Sequence, residues 1–351
     1  MSINVVDLFS GAGGISQGFT EASEQFAIVR AIDSDLDAAM TFEQNFQSAN
    51  VVHADIEDWL QDARIESCDV VVGGPPCQGF SSLGKIDEKK NRLWENYARY
   101  VRESQPSYFV MENVPQFAKS PQKAVFETEL SNGLLKDYSA RTYLVNSADY
   151  GTHQLRRRMI ILGTRKDRAV LRMPAPLLFE DGFLTVRDAF KDLPPCVTET
   201  DLPDRYTERQ GVKRPGPFTT KELHLTRRYQ EISLRRFSEI PPGGNRFDLP
   251  DELLAPCWRK HTSGSGDVMG RLHWDQPSVT IRTEFNKPEK GRYLHPEENR
   301  AITHHEAARL MGFPDNYKWV GSKTSIARQI GNAVPIPLAR SVGVSVAALF
   351  A

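Results

Sequence analysis

Asp69-Val70-Val71-Val72-Gly73-Gly74-Pro75-Pro76-Cys77-Gln78-Gly79-Phe80-Ser81 is the stretch from which the fold of this chain can be read. Its β-branched run predicts a buried strand, and Gly-Gly-Pro-Pro stops that strand and stiffens the chain leaving it. The first reactive side chain beyond the strand is Cys77. In an open α/β sheet, ligands and reacting groups gather at the carboxyl ends of strands. A lone cysteine is more often a small apolar residue buried behind a turn. The polar, Gly-rich neighbours of Cys77 favour the other reading, a nucleophile presented at the sheet edge.

The flanking sequence repeats this pattern. Strands are expected at 3–9, 27–33, 50–54, 108–112, 141–146 and 159–163, besides 69–73, with helical stretches such as 14–24 and 37–46 between the early ones. Strand–helix alternation predicts an α/β fold built on a parallel, doubly wound sheet. From about 170 to 260 the chain is rich in Pro, Arg and short polar turns, with a weak helical pattern at 223–238. That region reads as a second, smaller domain of mostly irregular structure and short strands. Regularity returns at 303–312 and at 325–350, the latter reading as a packed helix.

Four widely spaced cysteines without a Cys-x-x-Cys pair indicate neither a disulfide scaffold nor a zinc site, so no metal is expected. No apolar run reaches membrane-spanning length, and no basic leader precedes the first strand. A soluble protein of a reducing compartment is expected. The net charge of −1 conceals an asymmetry. Residues 1–70 hold thirteen acidic and two basic side chains, whereas 205–246 hold ten Lys/Arg and four Glu. Such a split suits a chain with one end repelling polyanions and the other attracting them.

Several strand ends carry chemically suggestive residues. The first ends in Asp7-Leu8-Phe9-Ser10-Gly11-Ala12-Gly13-Gly14, a Gly-rich turn that lets a nucleotide-like ligand approach the backbone, without the dinucleotide spacing. Asp33 ends the next strand, where an acid can meet a ribose hydroxyl, and Asp55 ends the third, where it can accept from an adenine amino group. Either acid could equally be a helix cap. Glu112-Asn113-Val114-Pro115 closes a strand at the edge that carries Cys77, and its carboxyl could donate or share a proton. Strand alternation places Gln154, Arg156 and Arg158 on one face, where two guanidiniums could grip an anion or a base carbonyl.

Taken together, DLFSGAGG, GGPPCQGFS, ENV, QLRRR and GNAVP (Gly331–Pro335) resemble, in this order, the blocks of the C5-cytosine DNA methyltransferases, bacterial and sequence-specific in type. The resemblance runs from Val6 to about Val342, with the variable region at roughly 170–265 as its gap. It implies a Rossmann-like S-adenosylmethionine-dependent methyltransferase sheet at 1–183 and 300–351, and a target-recognition domain at 184–299. It also implies methyl transfer to carbon 5 of a flipped-out cytosine in a short double-stranded DNA sequence, through a Cys77 adduct at carbon 6. Glu112 would hydrogen-bond or protonate ring nitrogen 3, and Arg156 and Arg158 would brace the base and its phosphate.

Further residues follow from the same resemblance. S-adenosylmethionine, with S-adenosylhomocysteine as product, would meet Phe9, Gly11, Gly13, Asp33, Asp55, Ile56, Pro76, Asn332, Ala333 and Val334. A loop from Gly79 to about Asn96 would close over the flipped base, with Gln78 and Ser81 at the DNA. Readout would fall to the basic region and to a Gly-rich segment at 264–271, with Arg246, Ser265, Asp267, Arg271 and Arg282 as candidates. A monomer in the bacterial cytoplasm is implied, with a restriction endonuclease acting on the same site without stable complex. Two alternatives remain: a transfer-RNA C5-cytosine methyltransferase on the same scaffold, and a catalytically silent DNA-binding relative.

Overall fold

The computed structural model describes residues 2–76, 93–177, 182–260 and 263–351. Cys77, Gln78, Ser81 and the loop expected from Gly79 lie outside the described residues, except that 93–96 begin a helix instead of ending that loop. The chain divides into two compact units, one of residues 1–150, 157–178 and 333–351, the other of 151–156 and 179–332.

In the first unit, β1 (Ile3–Leu8), α1 (Gly14–Ala22), β2 (Phe26–Asp33), α2 (Leu36–Asn45), β3 (Asn50–His53), α3 (Ile56–Asp62) and β4 (Val70–Gly73) alternate as the sequence pattern predicts. They are followed by α4 (Leu93–Ser104), β5 (Tyr108–Asn113), α5 (Pro121–Asn132), β6 (Tyr138–Asn146) and β7 (Arg157–Arg165). Among the described residues these strands form one seven-stranded sheet in the order β3-β2-β1-β4-β5-β7-β6. One expectation needs correction: β7 runs antiparallel to both β5 and β6, so the sheet is not all parallel. β6 leads to β7 through a single 3-10 turn, Ser147–Tyr150, with only a few residues beyond it, too few for the helical crossover that a parallel neighbour requires.

Apolar side chains on the two faces explain why the sheet is buried. Val5, Val70, Val72 and Val110 pack with Phe19, Phe42 and the C-terminal helix on one face. Val6, Leu8, Val71, Phe109 and Met111 pack with Trp94, Tyr97 and Val101 of α4 on the other. Near-continuous apolar strands of this kind mark a sheet covered on both sides.

The chain leaves β1 for β2 on one side and returns to β4 on the other, so the order reverses between β1 and β4. At such a switch point the turns after adjacent strands splay apart and leave a crevice at their carboxyl ends. The Gly-rich turn after β1 and the Gly74-Pro75-Pro76 exit from β4 therefore flank the same crevice.

The single helix expected at 325–350 is two helices, Lys323–Asn332 and Ile336–Ala347. Pro335 cannot continue a helix and disfavours helical geometry in the residue before it. Residues 323–332 belong to the second unit and 336–347 to the first. The C-terminal helix lies on α1 at very short range. A Cβ on Gly18 would come within 2.8 Å of three of its atoms, and one on Gly14 would come 2.6 Å from the Val334 carbonyl. Those two glycines are what allow Ala333 and Val334 to sit against the start of α1.

The second unit has little regular structure, as its Pro- and Arg-rich composition predicts. It contains the hairpin Tyr206–Arg209/Val212–Pro215, the helix Glu231–Glu239, and the helices His304–Leu310 and Lys323–Asn332. Residues 300–332, attached by sequence pattern to the first domain, group here. Phe218–Thr219 pairs with Lys318–Trp319, and a buried Arg300–Glu306 ion pair of 2.7 Å joins the chain before and within the helix His304–Leu310. No helix of the described residues is long and apolar enough to cross a membrane.

Candidate active site

The turn after β1 is held in shape by an acid from the neighbouring strand. Phe9, Gly11 and Gly13 take left-handed φ values of 56°, 52° and 90°. The Gly11 N–H donates to Asp33 Oδ2 at 2.7 Å, and the Asp35 N–H donates to Asp33 Oδ1 at 2.8 Å. Burial raises the Asp33 carboxyl above its ordinary range, the two backbone donors opposing that rise. A Cβ at Gly11 would meet no atom within 4 Å, so the turn borders open space.

The two acids that the sequence left open between cap and contact separate here. Asp35, not Asp33, caps α2, accepting from the N–H groups of Asp37 and Ala38 at 3.0 and 3.2 Å. Asp33 is thereby left to face the turn. Asp55 is a cap: its Oδ1 accepts from the Glu57 N–H at 2.8 Å at the start of α3, while Ile56 is buried in the core below.

Asp7 escaped the sequence reading. It is fully buried on β1, and the Ser16 hydroxyl of α1 donates to its Oδ2 at 2.6 Å. Burial pushes this carboxyl up to about 7, with Asp33 nearby adding to the rise. The contact fixes the first turns of α1 to the strand that supports the Gly-rich loop. An acid in an otherwise apolar strand was the available signal.

At the next strand ends, Glu112 and Arg158 form an ion pair of 2.7 Å, each side chain about 14% exposed. The pairing follows from register: β5 runs antiparallel to β7, with Glu112 opposite Ile160, two residues from Arg158. Arg158 Nε approaches Glu112 Oε1, while Oε2 lies 3.1 Å from where a Gly74 Cβ would stand. A carboxylate oxygen thus looks onto the strand exit that ends in Pro76, next to Cys77. Asn113 secures the same exit, its side-chain amide donating to the Pro75 carbonyl at 3.2 Å.

Arg156 has a different environment. It is 2% exposed, and its guanidinium donates to the carbonyls of Ile281 at 2.7 Å and Gly331 at 2.9 Å. Gln154 is equally buried: its amide donates to the Leu310 carbonyl at 3.0 Å and accepts from the Ile281 N–H at 3.1 Å. Within the second unit these residues fasten 154–156 to 278–281 and 331. The two arginines expected to act together thus have different partners, Arg158 a carboxylate and Arg156 main-chain carbonyls, and strand β7 begins only at Arg157, so 154–156 do not continue its alternation.

Among the expected DNA contacts, Arg271 requires correction as a base reader. It is 3% exposed, and its five N–H groups all have partners: the carbonyls of Ile240, His295, Glu298 and Phe237, and Asn299 Oδ1, at 2.6–3.0 Å. No donor is left for a base edge. Arg246 is 6% exposed, donates to the Ser263 carbonyl at 3.0 Å and stacks over Phe247. Beside it opens a cleft of ≈ 580 Å³ that includes Phe247, Leu254 and Trp258. Arg282 and Ser265 are exposed. The Ser265 hydroxyl accepts from the Asp267 N–H at 3.2 Å, and the Asp267 carboxylate lies 3.5 Å from Arg292. Lys213, Lys221, Arg227, Arg228 and Arg235 supply exposed positive charge on this unit.

Comparison with known proteins agrees with this arrangement. The model of the C-5 cytosine-specific DNA methylases matches residues 3–348. The Type II methyltransferase M1.HphI of Haemophilus parahaemolyticus is 34% identical over 99% of this chain and 87% of its own. The Type II methylase M.HgiDII of Herpetosiphon aurantiacus is 31% identical over 97% and 94%. A crystal structure from Escherichia coli, described as a prophage-encoded DNA modification methyltransferase, superposes with a TM-score of 0.75 at 26% identity, covering 99% of both chains. Dnmt2 of Spodoptera frugiperda, at 17% identity and a TM-score of 0.57, shares the fold. The order of strand-end blocks, the sheet and the extent of these matches make the chain a member of the C-5 cytosine-specific DNA methylases, a DNA (cytosine-5-)-methyltransferase.

Proposed function

We propose that this enzyme methylates carbon 5 of one cytosine, turned out of a short specific sequence of double-stranded DNA, as the modification half of a Type II restriction–modification system. The observation that carries the reading is the Glu112–Arg158 pair beneath the Gly74-Pro75-Pro76 exit. It fixes a carboxylate beside Gly74, three residues before Cys77 in the sequence. The names of the curated relatives support the restriction–modification setting.

The residues at the switch point suit S-adenosylmethionine. Asp33 can accept from two ribose hydroxyls while retaining its backbone donors, and Gly11 leaves open space on the ligand side. Phe9, Gly13, Asp55, Ile56, Pro76, Asn332, Ala333 and Val334 complete the proposed contact set, Asp55 from its capping position. Bound there, S-adenosylmethionine would supply the methyl group and leave as S-adenosylhomocysteine.

Carbon 5 of cytosine is a weak nucleophile, so the ring must first be activated. The Cys77 thiolate adds to carbon 6, and carbon 5 acquires enamine character. Carrying a proton, the Glu112 carboxyl donates it to ring nitrogen 3, as a hydrogen bond or outright, and so stabilises the negative charge that develops on the ring as sulfur adds. Arg158 holds that carboxylate in place, and Arg156 positions the segment before β7 through its carbonyl contacts. After transfer, loss of the carbon-5 proton expels sulfur and restores aromaticity. Turning the base out of the duplex costs a few kcal/mol. We assign the first compact unit to catalysis and residues 184–299, within the second unit, to target recognition, where the exposed cations meet phosphates and Arg282 and Ser265 lie at the groove.

Expression in a bacterial host free of cytosine methylation, followed by conversion sequencing of its genome, tests the reading. One short motif methylated nearly to completion is the expected result. An unmodified genome with soluble protein present overturns it and directs attention to transfer RNA.

A further inference from the structure

Arg292 belongs to none of the blocks above, yet two loops of the second unit converge on it. Its Nη1 donates to the carbonyls of Gly243 at 2.7 Å, Gly244 at 3.0 Å and Arg271 at 2.8 Å. Its Nη2 donates to the Gly266 carbonyl at 2.9 Å, and its Nε lies 3.5 Å from Asp267 Oδ1. The side chain is 15% exposed, so these contacts are largely shielded from water.

The loops themselves are held edge to edge at the same point. Between them the Arg246 N–H donates to the Val268 carbonyl at 3.1 Å and the Arg271 N–H to the Gly244 carbonyl at 3.0 Å, while the Met269 N–H ties the second loop to the Pro288 carbonyl at 2.9 Å. Gly270 packs so closely that an added Cβ would stand 2.8 Å from Arg292 Cβ. Four carbonyl dipoles and one carboxylate would repel one another without a cation among them. A planar guanidinium can address all of them, whereas an ammonium is a point charge of shorter reach.

We propose that Arg292 is the positioning residue that sets target specificity: it fixes the shape of the 263–271 loop against 243–246, so that the exposed Ser263, Gly264 and Ser265 reach the DNA in one geometry. This rests on the proposed reading of the second unit as the target-recognition part. It also gives Asp267 a role in the loop, through Arg292.

The test compares wild type with Arg292→Lys and Asp267→Asn, using the genome-wide methylation map and then kinetics on duplexes carrying the mapped site or a single-base change. For Arg292→Lys the expected result is a tenfold or greater rise in KM for the mapped site against less than a threefold change in kcat. The ratio of kcat/KM between mapped and changed sites should fall at least tenfold, and the methylation map should spread to sequences one base removed. Asp267→Asn, confined to one loop, should shift the same ratio in the same direction and serves alone if the Arg292 variant fails to fold. A folded Arg292→Lys enzyme that keeps wild-type discrimination overturns the proposal, as does Asp267→Asn with an unchanged ratio in its place. A wild-type enzyme that modifies no DNA motif instead overturns the functional reading.

Discussion

Gly73→Ala tests whether the backbone of β4 sets the reaction geometry. Gly73 is paired with Leu8 across β1 and β4, immediately before the Gly74-Pro75-Pro76 exit. An added Cβ would stand 2.2 Å from the Leu8 carbonyl oxygen and 3.1 Å from Tyr97 Cε2. Tyr97 cannot simply swing away, because its buried hydroxyl donates to the carbonyls of Val71 and Val110, each at 3.0 Å. Relief therefore requires the ends of β1 and β4 to part by about 1 Å, an overpacking change that costs ~1–3 kcal/mol of stability. A displacement of about 1 Å at the reacting groups costs roughly 100-fold in rate, or about 2.7 kcal/mol of barrier. In steady-state methyl-transfer assays the variant should lose about two decades of kcat, with KM for DNA changed only a few-fold. Urea unfolding should report the stability loss separately. A folded variant with kcat within threefold of wild type would refute the claim that β4 register places the nucleophile.

Cys77→Ala should abolish transfer while S-adenosylmethionine binding, read by calorimetry, persists; turnover in that variant would exclude the covalent route. Glu112→Gln should slow single-turnover methylation by two decades or more, and a wild-type rate would remove the carboxylate from the chemistry. Replacing exposed Lys213, Arg227 and Arg228 with Gln should lower the slope of log K against log salt by about 0.9 for each phosphate no longer neutralised, whereas an unchanged slope would place that surface away from DNA. Acid should open the second unit first. Burial holds His295 and His304 neutral, with values lowered to about 4. Their stabilising contribution is complete above about 6.5 and is lost as pH falls through 4, at about 1.4 kcal/mol per unit for each histidine. Asp7, raised to about 7 in the first unit, acts oppositely, its contribution complete below the ordinary carboxylate value and lost as pH rises through 7. Hydrogen exchange at pH 7 and pH 5 should show protection falling mainly in the second unit; an equal fall in both would contradict this assignment.

Strand-end chemistry was legible because it is local. The expected strand at 69–73 is observed as Val70–Gly73, and that at 108–112 as Tyr108–Asn113. Apolar runs and the Gly and Pro that end them act within a few residues, so their reading needs no partner. The break at Ala333–Pro335 could have been read from Pro335, but the continuous apolar pattern outweighed it. The antiparallel course of β7 depends on the path of the whole chain.

By itself, the sequence determined the element types, the ordered blocks that mark the family and the residues offered at the strand ends. Tertiary structure decided what each charged side chain does. Arg271, Arg246 and Arg282 are equivalent as residue types, but burial commits Arg271 wholly to carbonyl groups and leaves Arg282 exposed. Asp33 and Asp35 are likewise alike in sequence, and only the path of the chain around α2 makes one a cap and directs the other at the Gly-rich turn. The role of Arg292 had no sequence signature, because its partners are main-chain carbonyls of distant residues. Every residue carries such a carbonyl, so residue identity cannot reveal the contact. Folding alone brings those acceptors to one place.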